Sequence, residues 1–507
     1  MANIVGAVKT EEGNDGFRQK TLFGLTWSII NQVGWQGLTF IISIVLARLL
    51  SPREFGLITM VMILTNFAGV FTDLGFSAAL IQKQDVQSQH LSSIFWLNVT
   101  SGFLLMLIFI FGSPWVGNFY GEPILASLTI LVSASLFISS LGSIHRTLLT
   151  KSLDFRRLSV VDLVSVGLSG AVAIGLAFAG FGVWSLAVQS VVSASTVTIL
   201  LWSLSSWRPG FDFSWQAIKN LLGFSTKFLG TSLLNYGTSN IDNLLVGHSL
   251  GTIALGIYIR AYSLMLFPLL NISRVISRVI FPSFSLISED KVRVKRLYLK
   301  MTRTIALITF PLMLGLFVLV EPFVLTIFGP RWAEVAPILR ILCLVSLSQS
   351  IVTFNGGLYL SQGRADLQFK MVLLLRANQI LGIVIGLWWG VMGVAVGFTI
   401  ASLINFYPNV SYAGRLIGLT FAEFLRNLGP IFSCAVVMAV AVWGLGLFLP
   451  VNWPHWAFLI TQTAFGGAVY GTLVHYFNLQ GYREVKELLA GFLASSESKM
   501  LVRGKTI

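Results

Sequence analysis

The sequence is divided into apolar stretches that are each long enough to cross a lipid bilayer as a helix. A spanning helix needs about 20 mostly apolar residues, and about fourteen such stretches follow one another along the chain. They lie near residues 25–49, 57–81, 94–115, 125–144, 160–179, 183–204, 222–246, 253–280, 305–327, 335–360, 371–389, 391–412, 431–449 and 457–476. Only 11% of the 507 residues are charged, against about 25% in soluble domains. These observations predict an all-α integral membrane protein and exclude a set of soluble domains.

The distribution of Lys and Arg between the apolar stretches predicts the orientation of the chain. Alternate connecting segments hold roughly two dozen cations on one side, while the other side holds only Arg53 and Arg331. Cations collect on the cytoplasmic side of inserted helices, so both termini are expected to face the cytoplasm. The same rule explains the net charge of +14, and nucleic acid is not expected as a partner.

Two segments that join helices resemble each other at an offset of about 200 residues. Residues 50–57 read LSPREFGL and residues 250–257 read LGTIALGI. Two sets of six helices in the same orientation form a parallel repeat, and a transport path usually lies between such halves. The predicted segments are a cytoplasmic N-terminus (1–21), an N-lobe (22–206), a linker (207–220), a C-lobe (221–414), two further helices (415–478) and a cytoplasmic tail (479–507).

The motifs in and around these repeats are specific enough to indicate a family. Residues 240–247 read NIDNLLVG and are followed by ALGIY at 254–258 and RAY at 260–262, while the first repeat carries ARLLSP at 47–52. Together they resemble the polysaccharide transporter (oligosaccharide flippase) family of the multidrug/oligosaccharidyl-lipid/polysaccharide exporter superfamily. The resemblance covers nearly the whole chain and is Wzx-like, with two extra C-terminal helices.

This resemblance implies a fold and a function. The fold would be a V-shaped transporter of two six-helix lobes around a cavity that opens alternately to each side of the inner membrane. The substrate would be an undecaprenyl-pyrophosphate-linked oligosaccharide, which is moved to the periplasmic leaflet for the synthesis of exopolysaccharide, capsule, lipopolysaccharide or teichuronic-type polymers. The expected partners are this substrate, membrane lipids, and a polysaccharide polymerase with a chain-length regulator. The glycan itself is not specified.

Cations within the apolar stretches are the candidate ligands of a pyrophosphate. Charged groups in hydrocarbon are costly, so they normally face a cavity or a partner. A cavity lined by guanidinium groups would stabilise a polyanion. The alternative is that some of these cations extend to the membrane interface. The candidate substrate-binding residues are Arg260, Arg376, Lys227, Arg274, Arg278 and, through its amide, Asn31.

Two acids are the candidates for ion coupling. Asp73 lies within a predicted span and is the best candidate carboxylate for coupling to a H⁺ or Na⁺ gradient. Asp242 is the second, but it lies at a depth similar to that of Arg260, so a structural ion pair between the two is an open alternative. No metal site and no cofactor are expected.

Other functions were weighed against a flippase of lipid-linked oligosaccharides. No catalytic motif occurs in any connecting segment, and the segments on the outer side are short, which argues against a glycan polymerase or another enzyme. A flippase for lipid II or another lipid and a multidrug exporter of the same superfamily remain the alternatives. A channel would not need two repeated halves.

Overall fold

The computed structural model describes residue 32, residues 34–450, residues 452–484 and residue 486. Within these ranges the side chains of residues 270–282 are not described. Three predicted site residues therefore lie outside the description: Asn31 altogether, and Arg274 and Arg278 in their side chains. The described residues form α-helices, two short 3₁₀ turns and connecting segments.

The helices pack into two compact units, residues 1–256 and 257–507. The first unit contains α1 (Gly34–Leu49), α2 (Pro52–Asp73), α3 (Phe76–Gln82), α4 (Ser88–Tyr120), α5 (Ile124–Lys151), α6 (Phe155–Phe178), α7 (Val183–Leu204) and the first part of α8 (Trp215–Leu286). The second contains the rest of α8, α9 (Lys291–Ile327), α10 (Val335–Val352), α11 (Asn355–Ser361), α12 (Ala365–Gly386), α13 (Gly390–Leu416), α14 (Phe421–Phe448) and α15 (His455–Tyr476). The lobe and linker limits derived from the sequence stay a prediction.

The number of membrane crossings agrees with the prediction. Within the described residues, 11 continuous helical segments are long and apolar enough to span a membrane, and α1 is a shorter apolar helix. Two segments, Trp215–Leu269 and Ala365–Leu416, contain 55 and 52 residues. At about 1.5 Å per residue each is roughly 80 Å long, more than twice a bilayer core of about 30 Å, so each crosses twice. The prediction of an all-α membrane protein with about fourteen crossings is confirmed.

Glycines produce the reversals within these two long segments. Gly251 interrupts α8 with a φ of 83°, and Gly390 has a φ of 71° between α12 and α13. Both values lie in the left-handed region that favours glycine. The two helices on either side of the second reversal lie close together: a Cβ atom on Gly382 of α12 would lie 2.5 Å from the carbonyl oxygen of Gly397 of α13. Small residues thus allow the backbones of α12 and α13 to approach closely, as is common between membrane helices.

The sequence and the structure differ at the end of α2. The apolar pattern predicted one helix over 57–81, but α2 ends at Asp73 and α3 begins at Phe76. Between them, Leu74 and Gly75 have φ values of 51° and 81°, which a right-handed helix cannot contain. A Cβ atom on Gly75 would lie 2.7 Å from the carbonyl oxygen of Ser225 in α8. The break therefore allows the chain to pass close to α8.

The two repeated motifs contact each other in the first unit. A Cβ atom on Gly56 would lie 1.8 Å from the carbonyl oxygen of Thr252, and a Cβ atom on Gly256 would lie 1.9 Å from that of Pro52. With the repeat offset of 200, Gly256 is the counterpart of Gly56 and Thr252 is the counterpart of Pro52. Each contact thus joins a glycine of one motif to the counterpart of the same residue in the other motif, so the internal repeat relates the two contacts. This reciprocity is what a two-fold axis between repeats produces, and it supports the parallel repeat seen in the sequence.

Candidate functional site

The first unit contains an open cavity of about 1050 Å³ lined by α1, α2, α5, α6 and α7. Its volume is at the upper end of the range for ligand-binding pockets, about 300–1,000 Å³. Along α7 the lining extends from Leu186 to Leu201, which corresponds to about 22 Å of helix. The cavity is therefore elongated and large enough for an extended ligand.

The walls of this cavity are rich in small polar side chains. Its polar lining residues are Thr39, Ser43, Asn66, Ser135, Ser139, Ser143, Arg146, Ser169, Gln189, Ser190 and Ser193. Seven of them are serines and one is a cation, and no carboxylate lines the cavity among the described residues. A cavity of this size, with seven serines set into a mostly apolar lining, is the strongest structural indication of a binding site.

Most of the cavity serines donate their proton to the helix that carries them. Ser135 Oγ donates to the carbonyl oxygen of Val132 (2.6 Å) and Ser190 Oγ to that of Ala187 (2.7 Å). Ser143 Oγ and Ser169 Oγ make the same type of bond over 3.1 and 3.4 Å. Bonds of this type are normal for Ser in helices. Their consequence here is that the hydroxyl oxygens present mainly lone pairs to the cavity.

Arg146 marks one end of the cavity, near the C-terminus of α5. Its Nη2 donates to Oδ1 of Asp162 in α6 at 2.6 Å, and the two side chains are 43% and 23% exposed. The guanidinium has five N–H donors, so donors remain for another acceptor. Among the described residues, Arg146 is the one charged residue that lines the cavity. In the sequence it is one of the cations that the positive-inside rule assigns to the cytoplasmic side.

The serines of α5 have a regular spacing that the sequence already contains. Ser135, Ser139 and Ser143 are four residues apart, which places them on one helix face that also leads towards Arg146. A polar stripe of this kind in an apolar helix was the available signal. The stripe carries neither the charge nor the carboxamide groups that distinguish the candidate residues predicted from the sequence.

Asp73 belongs to a hydrogen-bond network that reaches the cavity. Its Oδ1 accepts from Ser77 Oγ (2.5 Å) and from Nδ2 of Asn98 (3.2 Å), and its Oδ2 accepts from the backbone N–H of Ser77 (3.2 Å). Asn98 is fully buried and also donates to Oγ of the cavity residue Ser143 (3.0 Å). Asp73, the predicted coupling residue at the C-terminal end of α2, is thus linked to the cavity residue Ser143 through the side chain of Asn98.

Arg260 lies in a buried aromatic environment of the second unit. Its Cζ is 5.3 Å from the ring centroid of Phe328 and 5.0 Å from that of Trp332, and the residue is 9% exposed. Such distances are typical of cation–π contacts. In this conformation the aromatic rings take part of the guanidinium surface that a pyrophosphate would need.

Arg376 is half-buried on α12 and is linked to a cluster of carboxamides. Its Nη1 is 3.4 Å from Oε1 of Gln379, and Gln379 Nε2 is 3.3 Å from Ser402 Oγ. Gln379, Ser402 and Asn405 line a small cavity of about 60 Å³ in the second unit. This volume is enough for a few water molecules.

The remaining predicted residues have different environments. Lys227 is exposed on α8 and Asp242 is 6% exposed on the same helix. The ion pair between Asp242 and Arg260 stays a prediction, as does the role of each predicted cation. Among the described residues, no group of three or more His, Cys, Asp or Glu side chains could hold a metal ion.

Comparisons with known proteins identify the family. Residues 45–337 match the family described as "Polysaccharide biosynthesis protein". The chain belongs to this family. It is 31% identical to the teichuronic acid biosynthesis protein TuaB of Bacillus subtilis (strain 168) over 76% of the chain and 80% of that protein. It is 29% identical to the lipopolysaccharide biosynthesis protein WzxC of Escherichia coli (strain K12) over 85% of the chain and 89% of that protein.

The fold is also found in a solved transporter. The structure of the lipid II flippase MurJ in an inward closed conformation covers 91% of the chain and 99% of its own length, with a TM-score of 0.73 and 17% sequence identity. At this identity the likeness concerns the fold alone. The family match and the named relatives confirm the resemblance to the polysaccharide family that the motifs indicate, and the fold agrees with it.

Proposed function

We propose that this protein is a flippase that moves lipid-linked oligosaccharide units across the inner membrane for polysaccharide synthesis. The observation that carries the proposal is the 1050 Å³ cavity, with seven serines among its lining residues, in a helical membrane protein of this family. Relatives named for teichuronic acid and lipopolysaccharide biosynthesis support a glycan cargo. In this proposal the lipid carrier is undecaprenyl pyrophosphate, whose polyprenyl tail stays in the bilayer while the polar part crosses.

The contact between the two repeated motifs supports a mechanism of alternating access. The motifs touch through glycine backbone at Gly56 and Gly256, and Glu122 accepts from Arg53 Nη2 (3.0 Å) in the first motif and from Thr252 Oγ1 (3.5 Å) in the second. Opening of the contact would separate the backbone surfaces and break the long bond between Thr252 and Glu122, while the ion pair between Arg53 and Glu122 can remain. We place it at the periplasmic end of the path, with both termini in the cytoplasm, because the positive-inside rule puts Arg53 outside.

The predicted cations complete the proposed path for the pyrophosphate. Arg260, Arg376 and Lys227, with Arg274 and Arg278, would stabilise its negative charge during transfer. Arg260 would have to leave part of its aromatic contact to do so. Coupling to a H⁺ or Na⁺ gradient through Asp73 or Asp242, and cooperation with a polymerase and a chain-length regulator, belong to the same proposal.

The test is translocation by the purified protein in liposomes. Lipid-linked oligosaccharide is placed in the membrane, and the fraction accessible to an external glycosidase is followed with wild type and with Arg260→Ala and Arg376→Ala. Arg340→Ala serves as a matched control for loss of a cation from a spanning helix, because Arg340 is half-buried on α10 and lines neither cavity. Wild type should transfer the substrate, and the folded Arg260 and Arg376 variants should be slower by at least tenfold.

The outcomes separate the alternatives. Normal transfer by both variants would retain the flippase and remove these two cations from its path. Transfer of lipid II but of no other lipid-linked glycan would place the protein with the lipid II flippases. Efflux of cationic drugs without any glycan transfer would contradict the proposal and favour the multidrug branch.

A further inference from the structure

The cavity of the first unit has a chemistry that suits one part of such a substrate better than the other. Ser135, Ser169 and Ser190 each donate their proton to their own helix, so their oxygens act as acceptors towards the cavity. Ser143 does the same, but one of its lone pairs already accepts from Asn98. A ligand that matches this wall must be rich in hydrogen-bond donors. Phosphate oxygens are acceptors, and a serine could donate to them only by giving up its bond to the helix carbonyl.

The charges around the cavity disfavour cationic ligands, which are the other class of molecules rich in hydrogen-bond donors. A cationic ligand also presents donors, but no carboxylate lines the cavity among the described residues, and its only charged lining group is Arg146. A buried charge without a counter-charge is costly. We call the cavity surface formed by Ser135, Ser143, Ser169 and Ser190 the serine wall. The cavity therefore disfavours an anion along the serine wall and a cation anywhere within it. An uncharged, hydroxyl-rich molecule is the class that remains.

The other lining groups have properties that suit a sugar. Asn66 and Gln189 line the cavity and each offers both donors and acceptors. Trp35 lines it as well and is 40% exposed, so an aromatic surface is available for the apolar face of a sugar ring. A few oriented polar groups beside apolar and aromatic surface are the usual composition of specific ligand sites.

Resting on the function proposed above, we propose that this cavity is the glycan-binding site, which receives the uncharged sugar residues. The pyrophosphate stays outside the serine wall. Arg146 lies at the end of the wall, where an anionic group attached to the glycan can reach its remaining donors while Asp162 holds the guanidinium in place. Sugar recognition and charge stabilisation are thus carried out by different parts of the molecule.

The first experiment is protection of an introduced thiol. Ser190→Cys is placed on the cavity wall in a chain in which Cys343 and Cys434 are replaced by Ala. Ser203→Cys, an exposed position of the same helix that does not line the cavity, is the matched control. The probes are the oligosaccharide released by mild acid from the lipid-linked pool of the host cells, inorganic pyrophosphate, and tetraphenylphosphonium. The oligosaccharide alone should slow alkylation of Ser190→Cys, and no probe should change that of Ser203→Cys.

A second measurement tests the acceptor wall through binding of the same oligosaccharide. Ser135→Ala and Ser190→Ala each remove one acceptor and should weaken binding about three- to tenfold, the usual contribution of a hydrogen bond. Ser140→Ala on α5 is the control, because Ser140 is fully buried and does not line the cavity. It should leave the affinity unchanged.

Failure of this proposal is distinguishable from failure of the flippase. If the oligosaccharide does not protect Ser190→Cys while the same preparation translocates the intact lipid-linked substrate, the glycan lies elsewhere and this proposal is wrong. Equal protection by pyrophosphate would also overturn it, because the wall would then not discriminate against anions. Protection without translocation would retain the glycan site and contradict the flippase.

Discussion

A buried ion pair at Arg303 shows how a membrane cation can be structural. Its guanidinium is 2.5 Å from the carboxylate of Glu484 and also donates to Oδ1 of Asn427. The two charged side chains are 12% and 11% exposed. The pair thus joins α9 to the segment that follows α15. In the sequence Arg303 lies two residues before the apolar stretch at 305–327, and nothing there reveals a partner 181 residues away.

Removal of Arg303 should therefore lower stability. Arg303→Ala leaves Glu484 buried without a counter-charge, which typically costs about 3–5 kcal/mol. The measurement is thermal unfolding in detergent, with Arg364→Ala as the control, since Arg364 pairs with Asp366 at the surface. The joint change Arg303→Met/Glu484→Leu should recover most of the loss. An unfolding temperature of Arg303→Ala no lower than that of Arg364→Ala would contradict the argument.

Asp73 allows a structural and a coupling role to be tested separately. Asp73→Ala deprives fully buried Asn98 and the backbone of Ser77 of an acceptor, so the free energy of unfolding should fall by about 1–3 kcal/mol.

Asp73→Asn retains the shape of the side chain without its charge. If Asp73 couples transport to ions, this variant should fold but should no longer respond to an imposed H⁺ or Na⁺ gradient in liposomes. Asp154→Asn, at the start of α6, controls for loss of an acidic charge, and an unchanged response of Asp73→Asn would remove Asp73 from coupling.

The glycine contact between α2 and α8 makes a prediction at the scale of elements. Gly56→Ala and Gly256→Ala each place a methyl group within 2 Å of a carbonyl oxygen of the facing segment. Each should destabilise the closed contact by about 1–3 kcal/mol, and transport should slow because the path no longer closes there. Their double mutant should lose less than the sum, since both act on one contact. Gly230→Ala, on α8 with open space around it, should have little effect on transport, and additive losses would indicate two independent contacts.

Element boundaries were predicted well where apolarity itself begins and ends, as at 183–204, which coincides with α7. The start of α2 was placed at 57, but the helix begins at Pro52, because Pro52 and the bond from the Ser51 backbone N–H to Glu54 Oε2 (2.6 Å) start it in a polar segment. The end of α2 was not predicted, because the apolar pattern continues through Leu74 and Phe76 although the helical backbone ends at Asp73. The approach of Gly75 to Ser225 depends on tertiary packing, which hydropathy does not contain.

At the scale of the whole molecule, fold class and family could be read from the sequence, but the cavity could not. Apolar length, the repeat and the motifs at 240–262 are local properties. The cavity requires that serine faces of α5 and α7 point to the same space, and this depends on the packing of five helices. Serines are also frequent where membrane helices pack against each other. A row of serines in the sequence therefore does not tell whether that helix face lines a cavity or packs against a neighbouring helix.

The orientation of the whole chain is the remaining large-scale prediction. If the positive-inside rule applies, the turn between α5 and α6 faces the cytoplasm and the turn between α14 and α15 faces the periplasm. Both turns have an exposed residue suited to a single cysteine, Ser152 and Asn452. In intact cells a membrane-impermeant maleimide should label Asn452→Cys and not Ser152→Cys, whereas both should react once the membrane is disrupted. The reverse pattern would invert every loop and place the Arg146 end of the glycan cavity on the periplasmic side, so that substrate could not reach that end from the cytoplasm.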